Sequence, residues 1–242
     1  MKTITYKDTT VLYTSELWGG GDSFGQEFIG VVKDTLGKVG HICEFGAGPG
    51  FIGFSLLAHG LCDRLTLVDI NPEAINLCKK TISDNHLEGK VTVYVSDCFD
   101  NVPESEKWDL VVSNPPHYPS TIEERYKDIR KYDNDWEVHK KFYMDVGKHL
   151  KPKGTILFQE KKLASTVYSF KKMIEESGLT IIGVFHAKHS FFQFMKPVLK
   201  LKNPLRCFRQ WRTHKFYFIW SGLTADYHDR PPIEFGQLKL WR

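Results

Sequence analysis

The stretch ICEFGAGPGFIG, residues 42–53, joins a short apolar run to a glycine-rich turn and then to a second apolar run. Glycines in such a turn let the backbone approach a ligand closely, and the first turn of a helix presents unpaired N–H groups. Ligands in open α/β sheets bind outside the carboxyl ends of the strands. We therefore expect a strand that ends at Phe45, a helix from Phe51, and a nucleotide or another polar cofactor at the turn between them.

Patterns typical of strands and of helices alternate along the rest of the chain. Strands are predicted over residues 40–45, 64–70, 91–95, 108–113, 155–159, 179–185 and 215–221. Helices are predicted over residues 51–59, 72–84, 135–150 and 163–177, with one more that ends near residue 36 and is capped by Asp22 or Ser23. Strands separated by helices of about 10–15 residues indicate parallel pairing. The predicted fold class is α/β, a Rossmann-like sheet of seven mostly parallel strands with helices on both faces and an antiparallel last strand, paired with its predecessor at the sheet edge.

Composition and charge exclude several classes of protein. Hydrophobic residues make up 41% and charged residues 26% of the 242 residues, so a sizeable core is expected and general disorder is not. No apolar run approaches the roughly 20 residues that span a bilayer, and the first residues lack a signal-like apolar segment. The five cysteines form neither a CxxC pair nor a zinc-spaced cluster. We expect a cytoplasmic protein with reduced thiols, no membrane association and no metal site.

Two classes of cofactor compete for the glycine turn. Gly48, Gly50 and Gly53 satisfy the dinucleotide pattern G-x-G-x-x-G, which on its own is a weak signal. Glu44 stands at the end of the preceding strand, where a carboxylate would repel a pyrophosphate but tolerate the ammonium group of a methionine. Glu44 therefore favours S-adenosylmethionine over NAD.

Two further acids stand at the end of the second strand and just after the third. Asp69 lies about 20 residues after the glycines, where a carboxylate accepts hydrogen bonds from ribose hydroxyls. Both cofactor classes use such an acid, so Asp69 indicates a nucleoside without choosing between them. Asp97 follows the third strand and adds a third member to an ordered series.

The segment WDLVVSNPPHY, residues 108–118, is the most specific feature of the chain. A strand followed by Asn-Pro-Pro, after the glycine turn and the two acids, resembles the amino-group N-methyltransferases, which are class I S-adenosylmethionine-dependent enzymes of the small-domain type. The resemblance covers roughly residues 40–160. It implies an enzyme that transfers a methyl group to a planar amino or amide nitrogen, with S-adenosyl-L-methionine as cofactor.

The resemblance also implies roles for individual residues. It assigns catalysis to Asn114, Pro115, Pro116, His117 and Tyr118. It assigns cofactor binding to Glu44, Gly46, Ala47, Gly48, Gly50, Asp69, Ile70, Asp97, Cys98 and Asn114. The nitrogen of a planar amine is a poor nucleophile, and the Asn114 side-chain oxygen and the Pro115 carbonyl can hold its NH2 group close to the methyl group.

His117 departs from the family pattern. An aromatic residue usually follows the two prolines and stacks on the planar target, whereas here His117 takes that position and Tyr118 comes next. His117 can stack weakly, form a hydrogen bond or accept a proton, and Tyr118 can take over the stacking. The departure leaves room for an unusual acceptor.

The sequence does not determine which molecule accepts the methyl group. Residues 188–215 contain eight Lys or Arg and no acid, interleaved with aromatic residues, which suits RNA or DNA but also an acidic protein or a small-molecule pocket. The candidate acceptors are a nucleic-acid base, a protein glutamine and a small-molecule amine. The sequence does not determine the oligomeric state.

The length favours a single methyltransferase domain over residues 1–223. Within it we expect an N-terminal lid and helix over residues 1–39, a cofactor-binding and catalytic core over 40–160 and a basic-aromatic insertion over 188–214, followed by a C-terminal extension over 224–242. Two other classes of function stay open, an NAD-dependent oxidoreductase and a non-catalytic cofactor-binding scaffold. The oxidoreductase leaves the Asn-Pro-Pro segment unexplained.

Overall fold

The computed structural model describes residues 1–17, 25–121, 128–185 and 216–223. Its strands are β1 (Lys2–Tyr6), β2 (Thr9–Tyr13), β3 (Val39–Phe45), β4 (Cys62–Asp69), β5 (Val91–Val95), β6 (Trp108–Ser113), β7 (Tyr118–Ser120), β8 (Tyr132–Asn134), β9 (Leu150–Lys161), β10 (Leu179–Phe185) and β11 (Phe216–Leu223). Its helices are α1 (Gln26–Thr35), α2 (Phe51–Ala58), α3 (Pro72–Asp84), α4 (Glu137–Val146) and α5 (Val167–Glu176).

Seven of these strands form one sheet in the order β10-β11-β9-β6-β3-β4-β5. β11 runs antiparallel to both of its neighbours, and the remaining pairs are parallel. The predicted α/β fold class, with its antiparallel last strand, is therefore confirmed.

The central strands are buried on both faces, as parallel strands covered by helices must be. Ile42 and Cys43, consecutive residues of β3, point to opposite faces of the sheet and are both fully buried. Ile42 belongs to a core that includes Phe54 of α2, whereas Cys43 belongs to a second core that includes Phe142 of α4. The two cores specify the register of the strands whose ends carry the candidate site residues.

The first residues of the chain form a hairpin that their polar composition did not indicate. β1 and β2 pair antiparallel, and Val11 and Tyr13 of β2 are buried. The Thr10 N–H donates to Asn85 Oδ1 at 2.7 Å, and Asn85 Nδ2 donates to the Thr10 carbonyl at 2.9 Å, which joins the hairpin to the end of α3. The threonines that make this segment polar are also good strand formers, because β-branched side chains pack well on a sheet.

One predicted helix and the strand after it have wrong boundaries. The helix predicted over residues 135–150 consists of α4 and a 3-10 turn over Gly147–His149, after which β9 begins at Leu150. β9 passes through Pro152 and Gly154, residues that normally argue against a strand. A register shift in the pairing of β6 with β9 accommodates them.

Several predicted features lie outside the described residues. These are the helix caps Asp22 and Ser23, most of the glycine-rich segment before α1, and residues 188–214 and 224–242. The division of the chain into a domain with an insertion and an extension stays a prediction. Within the described ranges, no helix combines the length and the apolar character needed to cross a membrane.

Candidate active site

The carboxyl ends of β4, β3 and β6 lie side by side at one edge of the sheet. Phe45, the last residue of β3, is paired with Val68 of β4 and with Ser113 of β6. The glycine turn, Asp69 and Asn114 therefore start from neighbouring points on this edge, which is where ligands bind in open α/β sheets.

The first two glycines of the turn have space for an added side-chain atom among the described residues. Gly46, Gly48 and Gly50 have φ angles of 63°, 52° and 81°, which residues with side chains rarely adopt. A Cβ atom added at Gly46 would meet no described atom within 4 Å, and one at Gly48 would lie 3.9 Å from the Leu17 carbonyl oxygen. A Cβ atom at Gly50 would instead come within 2.7 Å of the Phe54 ring. Gly46 and Gly48 thus leave room for a ligand, whereas packing requires Gly50.

Gly53, which completes the dinucleotide pattern, also has a packing role. A Cβ atom there would lie 2.7 Å from Leu65 and 2.9 Å from Glu44 Oε2. The close approach of α2 to the sheet therefore explains Gly53 without a dinucleotide. Ala47, within the turn, is buried and donates its N–H to the Val68 carbonyl at 3.0 Å.

Glu44 is buried beneath the first turn of α2. Its carboxyl group accepts the N–H of Gly53 at 2.7 Å and the N–H of Ile52 at 3.3 Å. Burial raises the pKa of Glu44 to about 8, although these two N–H groups act in the opposite direction. In this arrangement Glu44 holds the start of α2 against the end of β3, and its contact with the cofactor stays a prediction.

Asp69 connects the end of β4 to the glycine turn. Its Oδ2 accepts the Gly48 N–H at 2.6 Å and its Oδ1 accepts the Asn71 N–H at 2.8 Å. Burial raises the pKa of Asp69, and the two N–H groups oppose that shift. The next residue, Ile70, is 51% exposed and places an apolar side chain on this otherwise polar edge. A carboxylate beside an exposed apolar side chain suits a nucleoside, which has a polar ribose and a base with apolar faces.

Asp97 and Cys98 follow β5, the neighbouring strand. Asp97 is exposed, and its carboxylate lies 3.0 Å from Lys141 Nζ. Cys98 has a φ angle of 54° and is buried, and burial raises the pKa of its thiol to about 12. Asp97 is therefore accessible to a ligand, whereas the Cys98 side chain is a protonated core group.

Asn114 directly follows β6, and its Oδ1 atom is buried. Among the described residues this oxygen has no hydrogen-bond partner. Buried polar atoms are nearly always paired, so an acceptor without a donor requires an explanation. The next two residues, the buried Pro115 and the half-buried Pro116, have no N–H to donate to it.

The two aromatic residues after the prolines contact β9 and β11. His117 Nδ1 lies 3.5 Å from Glu160 Oε2, and the His117 ring lies 5.5 Å from the ring of Phe216. The Tyr118 hydroxyl accepts a hydrogen bond from Lys161, whose Nζ atom lies 4.6 Å from the centre of the Tyr118 ring.

Three buried charged residues behind His117 were not predicted. His139 of α4 contacts Asp133 Oδ2 through Nδ1 at 2.6 Å and Glu160 Oε1 through Nε2 at 2.9 Å, and all three side chains are 0% exposed. Burial acts to lower the pKa of His139, but the two carboxylates raise it to about 9. One signal was present in the sequence: Glu160 comes near the end of a parallel strand, on the edge that carries the other site residues.

The chain is similar to curated methyltransferases over part of its length. It is 33% identical to Ribosomal RNA small subunit methyltransferase C of Haemophilus influenzae (strain PittGG) over 91 residues, which are 38% of this chain and 26% of that protein. It is 27% identical to Release factor glutamine methyltransferase of Aquifex aeolicus (strain VF5) over 125 residues, which are 48% of this chain and 44% of that protein. The chain thus spans about a quarter of the first relative and less than half of the second.

Solved methyltransferases share the fold. The ribosomal protein L11 methylase of Lactobacillus delbrueckii subsp. bulgaricus superposes with a TM-score of 0.54 at 13% identity, covering 85% of this chain and 81% of that one. The hMettl16 catalytic domain, in complex with the MAT2A 3'UTR hairpin 1, superposes with a TM-score of 0.59 at 12% identity, covering 91% of this chain and 73% of that one.

The family is established by a longer match. Residues 25–173, more than half of the chain, match the family model described as Methyltransferase small domain. This match confirms the predicted resemblance and, with it, the methyltransferase class and the S-adenosylmethionine cofactor. The chain belongs to the methyltransferase small domain family.

Proposed function

We propose that this chain transfers a methyl group from S-adenosylmethionine to the exocyclic amino nitrogen of a nucleic-acid base. The observation that carries the proposal is the buried Asn114 Oδ1, which has no partner among the described residues and lies at the sheet edge beside the glycine turn. An acceptor in this state is suited to a ligand N–H, and a planar NH2 group offers one.

The described residues fit the cofactor. Gly46 and Gly48 leave the backbone open on the ligand side, and Asp69 and Asp97 offer carboxylate oxygens to hydroxyl and amino groups. Ile70 offers an apolar surface to a base. We propose that these residues bind the cofactor, while Glu44 supports them from below.

The chemistry of the site rests on positioning. S-adenosylmethionine supplies a methyl group on a positively charged sulfur, which departs as a neutral thioether. The Asn114 oxygen and the Pro115 carbonyl each accept a hydrogen bond from the target NH2 group and so orient the nitrogen lone pair. Orientation of this kind lowers the activation barrier, because the entropy cost of aligning the nitrogen with the methyl group has been met on binding.

Two observations favour a nucleic acid as the acceptor. The relative reported above at 33% identity is named for ribosomal RNA, and residues 188–215 combine eight Lys or Arg with aromatic side chains. A protein glutamine, suggested by the release factor relative, and a small-molecule amine are the other possible acceptors. A cytoplasmic site of action belongs to the same proposal, and it agrees with the four cysteines of the described chain, which are free thiols.

The experiment is methyl transfer from methyl-tritiated S-adenosylmethionine to four pools: RNA, DNA, protein and small metabolites. We expect label in a nucleic-acid pool, recovered after digestion as an N-methylated nucleoside. The Asn114→Ala variant should lose this label, whereas Asn76→Ala, the same change at an exposed position of α3, should keep it. Label in protein or metabolites alone would overturn the acceptor class. Binding of NADH instead of S-adenosylhomocysteine would overturn the cofactor.

A further inference from the structure

The Glu160 carboxylate is shared between two imidazoles. Its Oε1 atom accepts a hydrogen bond from His139 Nε2 at 2.9 Å, and its Oε2 atom lies 3.5 Å from His117 Nδ1. On the far side of His139, Nδ1 contacts Asp133 Oδ2 at 2.6 Å. These contacts form a continuous chain of four side chains that begins in the core at Asp133 and ends at His117, three residues after Asn114.

Asp133, His139 and Glu160, the three buried members of this chain of contacts, together carry a net negative charge. Burial acts to raise the pKa of Glu160, but His139 and His117 lower it by more, so Glu160 is a carboxylate. His139, with its pKa raised to about 9, is an imidazolium at neutral pH. Two carboxylates against one imidazolium leave a formal charge of minus one, which the Val138 and His139 N–H groups at the start of α4 offset in part through Asp133. A proton placed on His117 would supply the missing positive charge at the contact with Glu160.

The same contact selects the tautomer of His117. A carboxylate without a proton can only accept hydrogen bonds, so the neutral His117 ring must carry its hydrogen on Nδ1. Its Nε2 atom then keeps a free lone pair and can accept a proton. The distance of 3.5 Å is long, but catalytic hydrogen bonds in free enzymes are often long and shorten in the complex with substrate.

The groups that surround His117 agree with this role. From β9, Glu160 contacts it, while Lys161 is engaged with the Tyr118 hydroxyl. From β11, the ring of Phe216 lies 5.5 Å away and presents an apolar neighbour. Among the contacts described for His117, the only charged partner is the Glu160 carboxylate, which stabilises an added proton.

We propose that His117 accepts the proton that the target nitrogen loses on methylation, and that Glu160, held by His139 and Asp133, is the positioning residue that prepares it. The proposal rests on the proposed N-methyl transfer. The nitrogen lone pair forms the N–CH3 bond while the C–S bond breaks and its electron pair stays on sulfur. The methylated nitrogen then carries one proton in excess. This proton leaves its hydrogen bond to the Asn114 oxygen or the Pro115 carbonyl, moves to His117 Nε2 and is released to water when the product leaves.

The first test reads the tautomer directly and needs no methyl acceptor. Long-range 1H–15N correlation spectra of the free enzyme show which ring nitrogen carries hydrogen, and the His117→Asn variant assigns the signal. We expect the hydrogen of His117 on Nδ1. In the Glu160→Gln variant, the amide oxygen should still accept the hydrogen bond from His139. The amide NH2 group then faces His117 Nδ1 and donates to it, so the ring hydrogen of His117 should move to Nε2. A wild-type His117 with its hydrogen on Nε2 would overturn the proposal.

The second test is a double-mutant cycle on single-turnover methyl transfer. His117→Asn and Glu160→Gln should each slow transfer by roughly 100-fold or more, the usual contribution of a general base. They should leave the affinity for S-adenosylhomocysteine unchanged. In the His117→Asn background, Glu160→Gln should add less than about a threefold loss, because Glu160 acts through His117. Losses that multiply would assign Glu160 a structural role and overturn the proposal.

The pH dependence of the methyl-transfer rate is a third test, because the loss of a residue with a purely structural role would not change its shape. Transfer through a general base depends on the protonation state of that base, so the pH profiles of the wild type and of His117→Asn should differ in shape. Glu106→Gln is the matched control, because Glu106 also lies beside an imidazole, 3.8 Å from His41, but precedes β6 at the opposite edge of the sheet. It should keep the wild-type profile.

The outcomes separate the two proposals. If the wild-type enzyme methylates protein or a small molecule, the nucleic-acid acceptor is wrong, and the cycle is run on the acceptor that was found. If the enzyme methylates a nucleic acid but His117→Asn transfers at the wild-type rate, the proposed function stands and the role of His117 is wrong.

Discussion

Asp69 and Gly48 are joined by a hydrogen bond of 2.6 Å from the Gly48 N–H to Asp69 Oδ2. The bond connects the end of β4 to the turn that follows β3, so the predicted ribose acceptor also shapes the glycine turn. A carboxylate offers about four lone-pair positions, and Asp69 uses two of them on Gly48 and Asn71. Among the described residues the remaining positions have no hydrogen-bond partner, and we expect ligand hydroxyls to use them.

Replacement of Asp69 by alanine should weaken cofactor binding, because it removes both the acceptor for ligand hydroxyls and the hydrogen bond that shapes the glycine turn. Hydrogen bonds to charged groups contribute about 1.5–3 kcal/mol, so the affinity for S-adenosylhomocysteine should fall roughly 10- to 100-fold in calorimetric titration. Asp63→Ala, at the other end of β4, removes a carboxylate that is exposed and paired only with Lys38 among the described contacts. It should bind as the wild type does, and equal affinity in both variants would contradict the role of Asp69.

A comparison of alanine variants at Gly46 and Gly37 distinguishes the effect of backbone strain from the effect of a blocked ligand site. Their φ angles are 63° and 69°, and a Cβ atom on either would meet no described atom within 4 Å. Alanine at each position should therefore cost a similar free energy of unfolding, about 1–2 kcal/mol, in urea denaturation. Only Gly46→Ala should also weaken binding of S-adenosylhomocysteine. A loss of binding in Gly37→Ala as well would mean that strain alone explains the effect.

Asn114 and Asn85 should respond to alanine in opposite ways. Asn85 makes three hydrogen bonds, to Thr10 and to Thr81, so Asn85→Ala should lower the free energy of unfolding by about 2–3 kcal/mol and keep methyl transfer. Asn114→Ala removes a buried oxygen that has no described partner, so it should abolish transfer without a loss of stability. A marked destabilisation in Asn114→Ala would show that its oxygen is paired in the free protein.

The buried His139 should make stability depend on pH. Its pKa is raised from 6.5 in the unfolded chain to about 9, so the folded state binds the proton more tightly. The stability from this proton is complete below pH 6.5 and is lost as the pH rises towards 9. The free energy of unfolding, measured with urea, should therefore fall over this range.

An NMR titration checks the same assignment on the ring itself. The His139 imidazole should keep its proton at pH 7.5. His149 is the internal comparison, because burial lowers its pKa and it should be neutral at that pH. A neutral His139 at pH 7.5 would contradict the charge that we assign to the buried chain.

The sequence by itself determined the order of elements and the edge at which the site is built. Parallel strands place all their carboxyl ends on one edge, so the glycine turn, Asp69 and Asn114 could be brought together from their positions after three predicted strands. The bounds of β5 and β6 were also predicted correctly, because their apolar runs end at clear turn residues. Local pattern is enough for such features.

Only the tertiary structure decided which polar atoms are already paired. The sequence predicted that Glu44 binds the cofactor, and the structure adds that both of its oxygens accept N–H groups of α2. Glu160 lies 43 residues after His117, and no local pattern joins them. Hydrogen-bond partners and burial depend on how distant segments pack, and the packing of β9 behind the Asn-Pro-Pro segment places the Glu160 carboxylate beside His117.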